Sequence, residues 1–108
     1  MKKKYRIRKN EEFQAIIKRK RFYASSTFVL YVVPKKEKSA RIGLSVSKKI
    51  GNAVVRNKVK RQLRMQLQDC FNIHGDFDAI IIVRKRYLQD SFEVNKKDLE
   101  TLLKKVRI

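Results

Sequence analysis

Cysteine and histidine are almost absent from this chain, and their scarcity sets the first limits. Cys70 is the sole cysteine, so no internal disulfide can form, and its helical position beside Phe71 marks it as a small core residue. With His74 as the sole histidine, there is no soft ligand set for zinc, which removes zinc fingers and zinc ribbons. No apolar run is long enough to cross a bilayer. The basic start Met1-Lys2-Lys3-Lys4 is not followed by the apolar stretch of a signal peptide. Neither a lipidation signal nor an amphipathic helix with a bulky aromatic face is present to favour a membrane surface. The expected location is the cytoplasm.

Negative charge is scarce too. Ten Asp and Glu stand against 29 Lys and Arg, a formal charge of +19 on 108 residues. From Lys38 to Gln68 no acidic residue occurs, while Lys38, Arg41, Lys48, Lys49, Arg56, Lys58, Lys60, Arg61 and Arg64 do. A compact domain with so much like charge repels itself, and a polyanionic partner is the physical reason to tolerate it. With no membrane signal, that partner is nucleic acid. Catalytic constellations are missing as well. Ser45, Ser47, Cys70 and His74 show no triad pattern, and the acids are too scattered for a two-metal nuclease site. His74 reads as a cation at a helix C-terminus.

What is present suffices for one modest core. Apolar residues make up 43% of the chain, and its length fits one domain over 1–108. Residues 1–9 read as a basic, flexible arm, with Tyr5 and Ile7 available to pin it. Asn10 is the expected N-cap of a first helix, with Glu11 and Glu12 complementing its dipole and Phe13, Ile16 and Ile17 forming its apolar stripe. The run Phe28 to Val33 is a strand stopped by Pro34, and Phe22 to Ala24 is a short strand or lead-in. Arg41 to Ser47 alternates: Ile42, Leu44 and Val46 face a core, and Gly43, Ser45 and Ser47 form a small, polar face. After Gly51-Asn52 comes the longest helix, about 53–72, with Val55, Val59, Leu63, Leu67 and Cys70 at helical spacing. His74-Gly75 is its expected exit, the glycine left-handed. Ala79 to Val83 is a buried central strand. A last helix starts near Lys96 behind an Asn95 cap, with a Val94–Leu99 staple and Leu99, Leu102, Leu103 and Val106 inward. This order predicts an α+β sandwich, a small sheet with helices mainly on one side.

Two surfaces carry the binding reading. Arg56, Lys60 and Arg64 recur every four residues in one row up the long helix, about 6 Å apart, and Asn57 and Arg61 form the neighbouring row. Such rows can follow a phosphate backbone, with arginine gripping phosphates by two bonds. The free N–H groups behind Gly51-Asn52 favour an anion. Phe13 and Tyr31 can line a groove floored by Gly43, Ser45 and Ser47, where bases stack beside a basic rim.

The run from Arg41 to Arg64, centred on Ala53-Val54-x-Arg56-Asn57-x-x-Lys60-Arg61-x-x-Arg64, closely resembles the signature of the bacterial ribonuclease P protein family. The flanks agree: a basic arm leading to Asn10-x-x-Phe13, the Phe28-Val29-Leu30-Tyr31 strand, and the apolar strand before Arg84. The resemblance implies a fold of order αβββαβα with a four-stranded mixed sheet and a left-handed crossover through the long helix. It implies a non-catalytic subunit, one per catalytic RNA, in an enzyme whose RNA works with bound Mg2+ to mature the 5′ end of tRNA. Carried over by position, Arg56, Asn57, Lys60, Arg61 and Arg64, with Lys48 and Lys49, face RNA. Phe13, Ile17, Val29, Tyr31 and Ser45 line a cleft for the single-stranded 5′ leader of precursor tRNA, and no protein residue is implied as a metal ligand. Ile17 departs from the aromatic that relatives often carry, leaving an apolar contact in place of a stack. Composition alone fits a structural RNA-binding protein of ribosomal type equally well. A helix-turn-helix DNA binder fits less well, because a strand and Gly-Asn precede the basic helix.

Overall fold

Residues 2–107 are described by a computed structural model; the ends of the expected domain, Met1 and Ile108, lie outside them. The elements follow the order αβββαβα: α1 (Asn10–Lys18), β1 (Phe22–Ala24), β2 (Phe28–Pro34), β3 (Ile42–Ser45), α2 (Ala53–Cys70), β4 (Phe77–Val83) and α3 (Phe92–Lys104). Short 3-10 turns occupy Lys3–Tyr5 and Lys85–Gln89. The strands form a four-stranded mixed sheet in the order β1-β2-β4-β3. β4 runs antiparallel to β2 and parallel to β3, so α2 is the crossover of a βαβ unit. The apolar run Ala79–Val83 of β4 suits its position between two neighbours, where most of its side chains meet packed structure.

Alternation decides which layer each strand residue joins. Phe28, Leu30 and Val32 of β2 and Ile42 of β3 point into the main core, against Val59, Leu63 and Leu67 of α2 and Leu99, Leu102 and Leu103 of α3. The opposite face carries α1: Ile16 packs there with Ile7, Val33 and Ile80. Two helices on one face and a short one on the other complete the sandwich.

Helix termini depart from expectation. Lys9, without a side-chain bond, occupies the cap of α1, and Asn10 is its first helical residue; Glu11 and Glu12 in the first turn supply the favourable charge. α3 begins earlier than Lys96, because the Ser91 hydroxyl accepts from the Val94 N–H and caps it. Asn95 is instead buried within that helix, its side-chain amide donating 2.9 Å to the Tyr87 carbonyl, and Val94 is exposed rather than stapled to Leu99. α2 stops at Cys70 because Phe71 turns extended and buries its ring. Gly75 is not left-handed, and His74 lies past the helix end, its backbone N–H donating to the Asn72 side chain. The left-handed residue is Lys20, φ 56°, just after α1.

Candidate nucleic-acid interface

Strand register lays three rows of residues across the sheet face that α1 shares. In the first, Val33 pairs with Asp78, and Arg41 lies beside Asp78. In the second, Tyr31 pairs with Ile80 and Ile80 with Gly43. In the third, Val29 pairs with Ile82 and Ile82 with Ser45. The helix covers the first two rows: Glu12 reaches Arg41, and the Phe13 ring stands over Gly43, its Cζ 2.7 Å from where a glycine Cβ would be. Val29, Ile82 and Ser45 remain half-buried. They form the floor of a trough flanked by Phe13 of α1 and by Tyr31 in the adjoining row; Ile17 is half-buried on α1.

Of the groove residues expected from sequence, Phe13, Tyr31, Val29 and Ser45 therefore share one face. Gly43 is the small residue under the ring rather than open floor, while Ser47 falls beyond the strand and is exposed. Two residues were missed. Ile82 is the middle of the open row; a continuous apolar run reads as buried on each side, and register alone separates Ile82 from Ile81. Phe22, exposed on the edge strand, pairs with Tyr31, their ring centroids 5.5 Å apart and tilted 45°. It extends the apolar surface around Tyr31, and its period-two spacing within Phe22–Ala24 was the available signal.

The basic rows of α2 meet the trough at its Phe13 edge. Lys60 and Arg64 line a pocket of about 190 Å³ with Arg6, Ile7, Arg8, Phe13, Ile42 and Leu44. The first residues build its far wall. Arg6 bridges to Ile42, and the Ile7 N–H donates 2.9 Å to the Ile42 carbonyl while its side chain is buried. The Nε atoms of Arg6 and Arg64 are buried without a hydrogen-bond partner, a costly state for a cation that an anion in the pocket would relieve. Asn57 and Arg61 lie exposed on the neighbouring row. Lys48 and Lys49 are exposed in the turn after β3, at the end of the sheet where the open row lies. Arg56 is half-buried and donates 3.1 Å to the Gly51 carbonyl.

Two expectations change. At the N-terminus of α2 one of the first-turn donors is already taken, since the Asn52 side chain accepts the Val55 N–H at 3.0 Å. Arg41, one of the cations of the acid-free stretch, is turned inward between Glu12 and Asp78. Cys70 is a core thiol: burial pushes its pKa up to about 11, which removes it from thiolate chemistry at neutral pH.

Cationic rows that lead into an apolar, solvent-open trough define a small α+β RNA-binding protein. The comparisons specify which one. The chain matches the family described as Ribonuclease P over residues 1–107. It is 48% identical over 105 residues to the ribonuclease P protein component of Mesoplasma florum, covering 95% of this chain and 96% of that protein. It is 48% identical over 109 residues to that of Bacillus velezensis, covering 100% and 94%. Its fold is similar to a mutant Staphylococcus aureus RNase P protein described as defective in mRNA degradation activity, with a TM-score of 0.85, 40% identity and coverage of 94% and 87%. This chain belongs to the ribonuclease P protein family. The match removes the ribosomal-type alternative that composition left open.

Proposed function

We propose that this chain is the non-catalytic protein subunit of a ribonucleoprotein endoribonuclease, one per catalytic RNA in the cytoplasm, and that it holds the single-stranded 5′ leader of precursor tRNA in the trough. One observation carries the reading: the Arg6, Lys60 and Arg64 pocket and the Phe13–Tyr31 trough share the Phe13 ring. A strand of nucleic acid can thus stack its bases on the apolar floor while its phosphates meet cations alongside, which is how single strands are held without sequence choice. Asn57, Lys60, Arg61 and Arg64 then face the catalytic RNA from α2, Arg56 shaping the loop before it, with Lys48 and Lys49 at the trough end. The chain 1–108 works as one RNA-binding domain.

Magnesium belongs with the RNA in this reading. Among the described residues no three His, Cys, Asp or Glu side chains gather as a cation site, and the carboxylates on the trough face, Glu12 and Asp78, are held by Arg41. The chain's own residues supply the surface for RNA. Their part is to bind and orient. Because mature tRNA lacks a leader, the trough adds affinity for precursor alone.

Binding of leader-bearing precursor and of mature tRNA to the reconstituted holoenzyme tests this. One base–aromatic stack contributes about 1 to 3 kcal/mol, so Tyr31→Ala should weaken precursor binding by roughly 5- to 150-fold and leave mature tRNA alone. Equal losses for the two ligands would remove Tyr31 from leader recognition.

A further inference from the structure

We propose that Glu12 is a positioning residue for the trough: its carboxylate, gripped by Arg41, sets α1 on the sheet and thereby places the Phe13 ring over Gly43. This rests on the trough being the leader site.

The geometry is a chain of fixed contacts that starts in the sheet. Asp78 is buried on β4 and accepts twice from Arg41, from its backbone N–H at 2.8 Å and from its guanidinium at 3.1 Å. The first bond fixes the Asp78 carboxylate against the Arg41 backbone, and the second ties down one nitrogen of a guanidinium whose side chain is 9% exposed. Its fork then meets Glu12 of α1 with two nitrogens, at 2.8 and 3.4 Å. An apolar trio could fill the same volume at no loss of stability. What it could not supply is direction, because a planar fork accepts a carboxylate in one orientation.

The helix needs that direction. It is two and a half turns long and buries Ile16 fully, with Phe13 and Ile17 half-buried beside it, so few apolar contacts fix its rotation on the sheet. Glu12 lies one turn before Ile16 on the same side and supplies a second fixed point. Phe13 is the next residue, and two fixed points on α1 decide where its ring falls. The ring tops the second row of the sheet, adjacent to the open third row, so a small rotation of α1 would cover the floor or withdraw the wall.

Glu12 sits at the rim, its side chain 23% exposed, and its removal leaves the Arg41–Asp78 pair and the main core intact. A folded Glu12→Ala protein with a misplaced ring is therefore the expected variant, and Glu12→Gln, which keeps the shape and loses the charge, is the milder one. Two measurements decide. In the full-length protein, the Gly43 α-proton resonances carry the ring current of Phe13; Phe13→Leu defines their value without it. Glu12→Ala should move them toward that value, while resonances of Phe28 and Tyr87 on the other face stay put. In the holoenzyme, Glu12→Ala should reduce the preference for precursor over mature tRNA by about 2- to 30-fold, with unchanged affinity for the catalytic RNA. Gly43 resonances in Glu12→Ala that coincide with wild type overturn the proposal. So does an unchanged preference when Tyr31→Ala lowers it. If Tyr31→Ala has no effect, the leader reading fails instead, and the Gly43 resonances still decide whether Glu12 places the ring.

Discussion

The Phe13 ring occupies the space that a side chain at Gly43 would need, with Cζ 2.7 Å and Cε2 3.1 Å from the Cβ position and the Ile7 Cβ at 3.3 Å. Gly43→Ala must therefore displace the ring. The backbone φ there is ordinary, so the strain is confined to packing and should cost about 1 to 3 kcal/mol, the range for adding a methyl to a filled site. Urea denaturation measures that cost. A protein as stable as wild type, with unaltered Gly43 neighbours by NMR, would show that the ring is not seated there.

Arg41 couples folding to pH through Glu12. The hydrogen bond from Arg41 holds the Glu12 carboxyl below its ordinary value of 4.5, outweighing the burial that pushes it up. A carboxyl whose folded pKa lies below its unfolded one stabilises the fold fully above about pH 4.5, and the contribution is lost as pH falls through the lower folded value. Wild type should thus lose stability on acidification below pH 4.5 more steeply than Glu12→Gln, whose curve lacks this component. Parallel curves from pH 6 to 3 would mean that the pair contributes nothing to folding.

Much of this was legible in the sequence because it depends on local pattern. The row Arg56, Lys60, Arg64 needs only helical period, and an order of helix, two or three strands, helix, strand and helix needs only apolar runs and their breaks; the resemblance supplied the third strand before the long helix. Contacts made across long separations were not legible. Asn95 has the residue type of a cap, yet it lies four residues past the Ser91 cap, where its amide donates to the carbonyl of Tyr87 in the preceding 3-10 turn. Buried Gln66 reads as a polar position on α2 until Tyr87 arrives from the 3-10 turn to bond it. Arg41 looked like one more cation for RNA, because its partners lie 29 and 37 residues away in the chain. Ile82 could be told from Ile81 only once β4 had neighbours on each side.

Lys20 holds a left-handed conformation, φ 56°, where the chain leaves α1, and its N–H donates to the Ile17 carbonyl. A Cβ is disfavoured in that region, and glycine occupies it without penalty. Lys20→Gly should raise stability by about 1 kcal/mol, read as a higher denaturation midpoint at unchanged slope. A lower midpoint would show that the lysine side chain contributes more than its backbone strain costs.

Arg61 is exposed on α2 beside the Arg56, Lys60, Arg64 row, whereas Lys104 lies on α3 next to Glu100 at 3.4 Å. Each replacement by alanine removes one positive charge, so any difference between them reports position rather than net charge. Binding that neutralises phosphates releases counterions, and each lost phosphate contact should lower the slope of log affinity against log salt by about 1. Arg61→Ala should therefore show a shallower salt dependence for the catalytic RNA, with the largest loss of affinity at low salt. Lys104→Ala should retain the wild-type slope, because Lys104 lies on α3, outside the α2 rows, and is paired with Glu100. If the two variants shift the slope equally, the RNA responds to the overall charge of the protein, and the α2 rows are not its contact surface.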